Sequence, residues 1–203
     1  MIQRLFLFGL LLLFVLASCN EQGTASDASN EEAQTLPDEF YLKEGKMIAS
    51  TAFKTLSTSL KEKMMEGGVV EAVEYCNIAA YPLTDSLSRE YDVSIRRVSD
   101  RLRNQGNRGS ELENEWIAKY KALQVKGEPL MPFIHRDDEH VRFVAPIAVK
   151  PLCLSCHGQL EKHISTTDYQ VITDLYPEDQ AINYATGDLR GIWSIAFANN
   201  ETE

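Results

Sequence analysis

Cys153-Leu154-Ser155-Cys156-His157 holds the densest chemistry in the chain. Two thiols three positions apart, followed directly by an imidazole, form the C-x-x-C-H pattern that attaches c-type haem. The spacing has a physical basis: each thiol reaches one vinyl group of the porphyrin, and the next residue is held beneath the iron, where a ring nitrogen coordinates it. The expected cofactor is one covalent haem c with its iron, with Cys153 and Cys156 as thioether links and His157 as an axial ligand. Two other chemistries use close cysteines. A structural zinc site needs four ligands, and the second close pair is missing, although Cys76 with His157 completes a looser set. A thiol-disulfide exchange motif sits between a strand and a helix start, whereas here Pro151 precedes the pair and Gly158 follows it without a helical pattern.

The opposite iron position has several candidates: Cys76, His135, His140, His163, Met64, Met65 and Met131. His135 and His140 bracket a charged turn and read as solvated, and His163 lies in a polar stretch. Met64 and Met65 at a helix end, and Met131 in a strand, read as core packing. Cys76 falls within an apolar helical stripe, where an inert buried thiol is the plain reading from spacing alone. A lone thiol in an oxidising compartment is either buried and inert or held by a partner such as a metal.

That compartment is set by the first residues. Met-Ile-Gln-Arg precedes an apolar run from Leu5 to Leu16, and Ala17-Ser18 supplies small residues before Cys19. This is a signal peptide over 1–18. Leu16-Ala17-Ser18-Cys19 also fits the bacterial lipoprotein box, in which Cys19 takes the lipid, and the run is too short to span a bilayer comfortably. Haem attachment of the c type happens outside the bacterial cytoplasm, so leader and motif support one another. The expected location is the periplasmic or cell-surface side of a membrane, with a lipid anchor. A net charge of −10 without a basic run makes nucleic acid a poor partner.

Residues 19–36 are Ser, Ala, Thr, Asn, Gln, Glu and Asp with almost nothing apolar, the composition of a flexible tether. The folded domain is expected over 37–203. A first helix starts near Pro37-Asp38-Glu39, shows Ile48, Ala52, Leu56, Leu60 and Met64 on one face, and ends at Gly67-Gly68. A second carries Val69, Ala72, Val73, Cys76, Ala79, Ala80 and Leu83, with Pro82 near its end. Asp92 to Ser99 alternates as a strand, residues 104–109 form a loop, and Ser110 caps a third helix with Leu112, Trp116, Tyr120 and Leu123 inward. The remainder reads mainly as strands: Leu130 to His135 and His140 to Val149 as a hairpin, with Lys150-Pro151 stopping the second, and Gly191 to Phe197 as the last. The fold class is α+β, with N-terminal helices packed on a mainly antiparallel sheet.

The chain resembles a small family of secreted single-haem proteins first described in cyanobacteria, over roughly Phe40 to Ala198. The resemblance rests on Glu74-Tyr75-Cys76-Asn77, Arg96-Arg97-Val98-Ser99 with Arg101-Leu102-Arg103-Asn104, Cys153 to Gly158, and Gly187-Asp188-Leu189-Arg190-Gly191. It implies a PAS-like domain, otherwise of unknown function, with His/Cys ligation of the iron: His157 on one side and Cys76 on the other. Gln105 stands where the family tends to have proline, a departure that bears on the shape of the 104–109 loop. Haem propionates are anionic and suit guanidinium partners, so Arg96, Arg97 and Arg103 are candidate contacts, each with pairing to surface carboxylates as the competing use.

Two functional classes follow. An electron carrier needs little beyond an exposed haem edge, and a redox or gas sensor needs an output partner protein. The expectation is electron transfer, with the sensor or binding module as the alternative and a zinc-binding domain as the second alternative. No constellation of catalytic acid and base groups marks an enzyme.

Overall fold

The computed structural model describes residues 36–198. The expected leader over 1–18, Cys19 and the expected tether as far as residue 35 lie outside the described residues.

Helix α1 spans Asp38–Tyr91, with Asp38 and Glu39 in its first turn, where acidic side chains complement the helix dipole. It is interrupted at Gly67 (φ −147°, ψ 20°) and Gly68 (φ 71°, ψ −152°), which divide it into arms 38–66 and 69–91. Gly68 occupies a backbone region that a side chain excludes, so the expected break falls where expected. Pro82 does not end the second arm, which runs on to Tyr91. The carbonyl that Pro82 leaves without its helical partner belongs to Ile78, a residue 76% exposed, while buried Leu87 ties the last turns to the core.

Strand β1 (Ser94–Val98) follows, then a 3-10 turn at Gln105–Asn107. Helix α2 is Glu111–Val125. Its start is a reciprocal cap: the Ser110 hydroxyl accepts from Glu113 N at 3.2 Å and the Glu113 carboxylate accepts from Ser110 N at 3.0 Å. The hairpin β2 (Phe133–Arg136) and β3 (His140–Ala148) and the long β4 (Leu189–Ala198) complete a sheet of order β1-β4-β3-β2, antiparallel throughout.

Alternation along the strands feeds two cores. Ile95, Phe143, Ala145, Trp193 and Ile195 meet Ile48, Ala49, Ala52 and Leu87 of α1 on one face. Val98, Val144 and Ile192 meet Trp116, Ile117 and Tyr120 of α2 on the other. Central strands covered on both faces explain the nearly continuous apolar run of β4. Two short helices lie in the region read as strands: α3 (Leu154–His157) and α4 (Thr166–Leu175). In α4, Ser165 caps Asp168 N at 3.1 Å and Ile172 is fully buried in a cluster with Val73 of α1. No element is assigned to residues 166–175 from the sequence; the cap and packing against α1 make them a helix. Among the described residues, no helix is long and apolar enough to cross a membrane.

Candidate functional site

The Cys-x-x-Cys-His segment folds as a tight helical turn. β3 ends in a register shift at Ile147/Ala148, and Pro151–Cys153 form a 3-10 turn that leads directly into α3. Proline at the first helical position needs no amide partner, and Cys153 N donates to Lys150 O at 2.9 Å. Cys153, Cys156 and His157 are therefore spaced i, i+3, i+4 on one helical face. The expectation of a turn without a helix is corrected to this extent. Gly158 closes the turn: its N–H donates to Leu154 O at 2.9 Å, and a Cβ there would meet that same oxygen and His163 at 2.6 Å.

This face opens on a cavity of about 460 Å³. Leu56, Leu60 and Met64 from the first arm of α1, and Val73, Cys76 and Ala80 from the second, form one wall. Ile147 and Trp193 form the floor, and Cys153, Cys156 and His157 stand across it. The apolar stripe of this arm thus divides: Ile48 and Ala52 are buried in the core, Leu56 packs against that core and also lines the cavity, and Leu60 and Met64 line the cavity. Cys76 faces the cavity too. Of the other candidates for the second iron position, Met64 also lines it, while Met65 and Met131 are 80% and 62% exposed rather than core residues. His135 packs on Trp116, His140 lies by Asp137 and Arg142, and His163 accepts from Gln159 N at 3.0 Å, all away from the cavity.

His157 is oriented from behind. Its Nδ1 lies 2.7 Å from Ala181 O, and since a carbonyl only accepts, Nδ1 carries the proton and Nε2 keeps a free lone pair. Burial, helped by the charges of Arg103 and Arg190, pushes its pKa well below the ordinary imidazole range, so the ring is neutral. The segment carrying Ala181 is itself held. Asp179 accepts from Ala181 N at 2.9 Å, and Arg103 donates to both Asp179 oxygens, at 3.2 and 3.0 Å, and to Cys156 O at 2.6 Å. Cys76, Cys153 and Cys156 are free thiols. Burial raises Cys156 to about 11 and raises Cys76, against the pull of Arg97 and Arg103 on the latter.

The three candidate arginines separate. Arg97 and Arg103 line the cavity; Arg96 lies off it and pairs with buried Glu113 at 2.7 Å. Its alternate position on β1 sends it to the α2 side of the sheet, the opposite face from Arg97. Arg190, Tyr81 and Tyr176 also line the cavity without having been singled out as site residues. For Arg190 the signal was its place in the Gly187 to Gly191 segment; for the tyrosines no local pattern existed. Among the described residues, no three His, Cys, Asp or Glu side chains gather closely enough to hold a metal ion by themselves, so the ligand set of a zinc module is not assembled.

A family model, Tll0287-like, described as Tll0287, matches residues 25–198. The chain belongs to the Tll0287-like family. Its fold is similar to that in the crystal structure of the cyanobacterial heme-protein Tll0287, with a TM-score of 0.54 and 20% identity over 77% of this chain and 96% of that one. No curated protein matches the chain. For this Tll0287-like chain the structural likeness establishes the α+β architecture, helices on an antiparallel sheet, as expected from the sequence.

Proposed function

We propose that this Tll0287-like domain binds one haem, attached through Cys153 and Cys156, with His157 and Cys76 as axial ligands, and serves in electron transfer as an exported, lipid-anchored protein. The observation that carries this reading is the convergence of Cys76, Cys153, Cys156 and His157 on one apolar-walled cavity. Its volume falls in the range of cofactor sites. The residues fit the group: two thiols on one helical face, an imidazole with Nε2 free, and a third thiol on the facing helix. Bound haem supplies a one-electron iron couple. The chain's part is to fix the His157 ring through Ala181, to surround the site with aliphatic side chains that exclude water, and to place the Cys76 sulfur where a negative charge favours the oxidised state.

Expression with c-type maturation machinery tests it. The denatured protein should retain one haem and show the spectrum of a porphyrin with both vinyl groups saturated. Colourless protein carrying zinc would end this reading.

One feature favours the sensor as a second reading. Burial favours the neutral thiol of Cys76, so the protein resists keeping a thiolate there once the opposing metal charge falls, and release of Cys76 would open a site for a small gas. Carbon monoxide binding to the ferrous wild type supports the sensor; refusal supports the carrier.

A further inference from the structure

The cavity's cations differ in what they are free to bind. A porphyrin held by its vinyl groups directs its two carboxylates from the opposite edge of the ring. Arg103 is tied to the carbonyl of Cys156 and to Asp179, so it sits at the thioether edge with its charge matched. Arg190 donates to Ser99 Oγ at 2.6 Å and Arg101 O at 3.1 Å and lies 5.5 Å from the ring of Tyr184, which packs edge-on to His157. Lys150 immediately precedes the Pro151–Cys153 turn.

Arg97 is different. It projects from β1 to the cavity side of the sheet opposite Trp193. Among the described residues, no hydrogen bond or ion pair engages its guanidinium, although burial disfavours its charge. Such a group is ready for an anion. It also stands at a boundary: Arg97, Tyr81 and Asn107 line both the cavity and an adjoining polar groove of about 580 Å³ between α1 and β1. Tyr81 holds that boundary by donating to Asn107 Oδ1 at 3.0 Å, with Asn104 Oδ1 at 3.3 Å. A carboxylate reaching this point meets a bidentate donor on the inner side and solvent on the outer.

Building on the haem reading, we propose that Arg97 is the porphyrin carboxylate site, and that Arg103 and Arg190 are structural clamps rather than propionate ligands. The ionisable groups facing Arg97 are Cys76 and Tyr81 of α1, Tyr176 beyond α4, and Arg103; those of the groove are Asp85, Arg89, Asp92, Arg96 and His140.

The test compares reduction potentials between pH 5 and 8 for wild type, Arg97→Gln, Arg97→Lys and the groove control Arg89→Gln, after the denatured spectrum of each has shown attached haem. A propionate released from its cation titrates in this interval, and its ionisation lowers the potential. Arg97→Gln should therefore gain a downward step as pH rises, relative to wild type, while Arg97→Lys should not. The groove's carboxylates and imidazole, Asp85, Asp92 and His140, are common to all four proteins, so their titration cancels in the comparison. A uniform offset in Arg97→Gln, parallel to wild type and matched by Arg89→Gln, overturns the proposal. Should Arg97→Gln fail to fold, the redox-induced infrared difference spectrum of wild type between pH 5 and 8 decides: one propionate that stays ionised throughout supports pairing, and protonation of both refutes it. A failure of haem attachment in wild type would instead refute the parent reading.

Discussion

Cys76 is the residue on which spacing and structure part company. By period it belongs to an inert stripe, yet its sulfur lines the cavity facing Cys153, Cys156 and His157. As the second axial ligand it would supply negative charge to the iron and lower the potential relative to a His/Met site. Cys76→Ala should raise the potential, alter the ferric absorption spectrum and increase carbon monoxide binding; equality of all three with wild type would make it a core thiol, with Met64 the next candidate to substitute. The Arg103–Asp179 pair makes a different prediction. Its side chains are 10% and 0% exposed, and it links the Cys156 carbonyl to the segment that orients His157. Arg103→Met strands a buried carboxylate, and denaturant titration of the holoprotein should show a loss of about 3–5 kcal/mol. The grouping of Cys153, Cys156 and His157 was legible because they are near neighbours in sequence and fall on one helical turn. Arg103 was legible only as a cation, since its partners Cys156 and Asp179 lie 53 and 76 positions away.

Helix α1 carries a wall of the cavity on two arms, so its interruption has a positional role. Gly68, at φ 71° and ψ −152°, holds a conformation nearly confined to glycine. Gly68→Ala should cost about 1–3 kcal/mol in thermal or chemical unfolding. If the strain is relieved by moving the arms, the Cys76 spectrum should change with it; a variant as stable as wild type would show that the turn tolerates another geometry. At α2, Ser110→Ala removes one half of a capping box and should lower stability by about 1 kcal/mol without altering the cavity, which lies on the other face of the sheet. These starts and breaks were readable because caps and glycines act within a few residues. Continuation of α1 through Pro82 and the identity of α4 were not, because both depend on burial against distant partners, Leu87 in the α1–sheet core and Ile172 against Val73.

At the scale of the whole molecule, the anchoring expectation belongs to Cys19 and the tether behind it. Cys19→Ala should release the protein from membrane fractions or block its processing while leaving haem attachment unchanged; unaltered fractionation and cleavage would remove the lipid from the account. The expectations of export and of haem attachment, and most element types, rest on local patterns: an apolar run before a cysteine that follows small residues, two thiols a helical turn apart beside an imidazole, and periodic helices and strands. The division of the arginines is also partly local, since alternation on β1 sends Arg96 and Arg97 to opposite faces, but nothing local says which face holds the cavity. That choice is made by packing. The arms of α1 cover one face of the sheet and α2 the other, so the same periodic signals that mark a buried face in sequence become core at Ile48 and Ala52 and cavity wall at Leu60, Met64 and Cys76. Hydrophobic burial is non-directional: it requires that an apolar side chain leave water, and only the three-dimensional arrangement of the other elements determines whether protein atoms or a bound group will meet it.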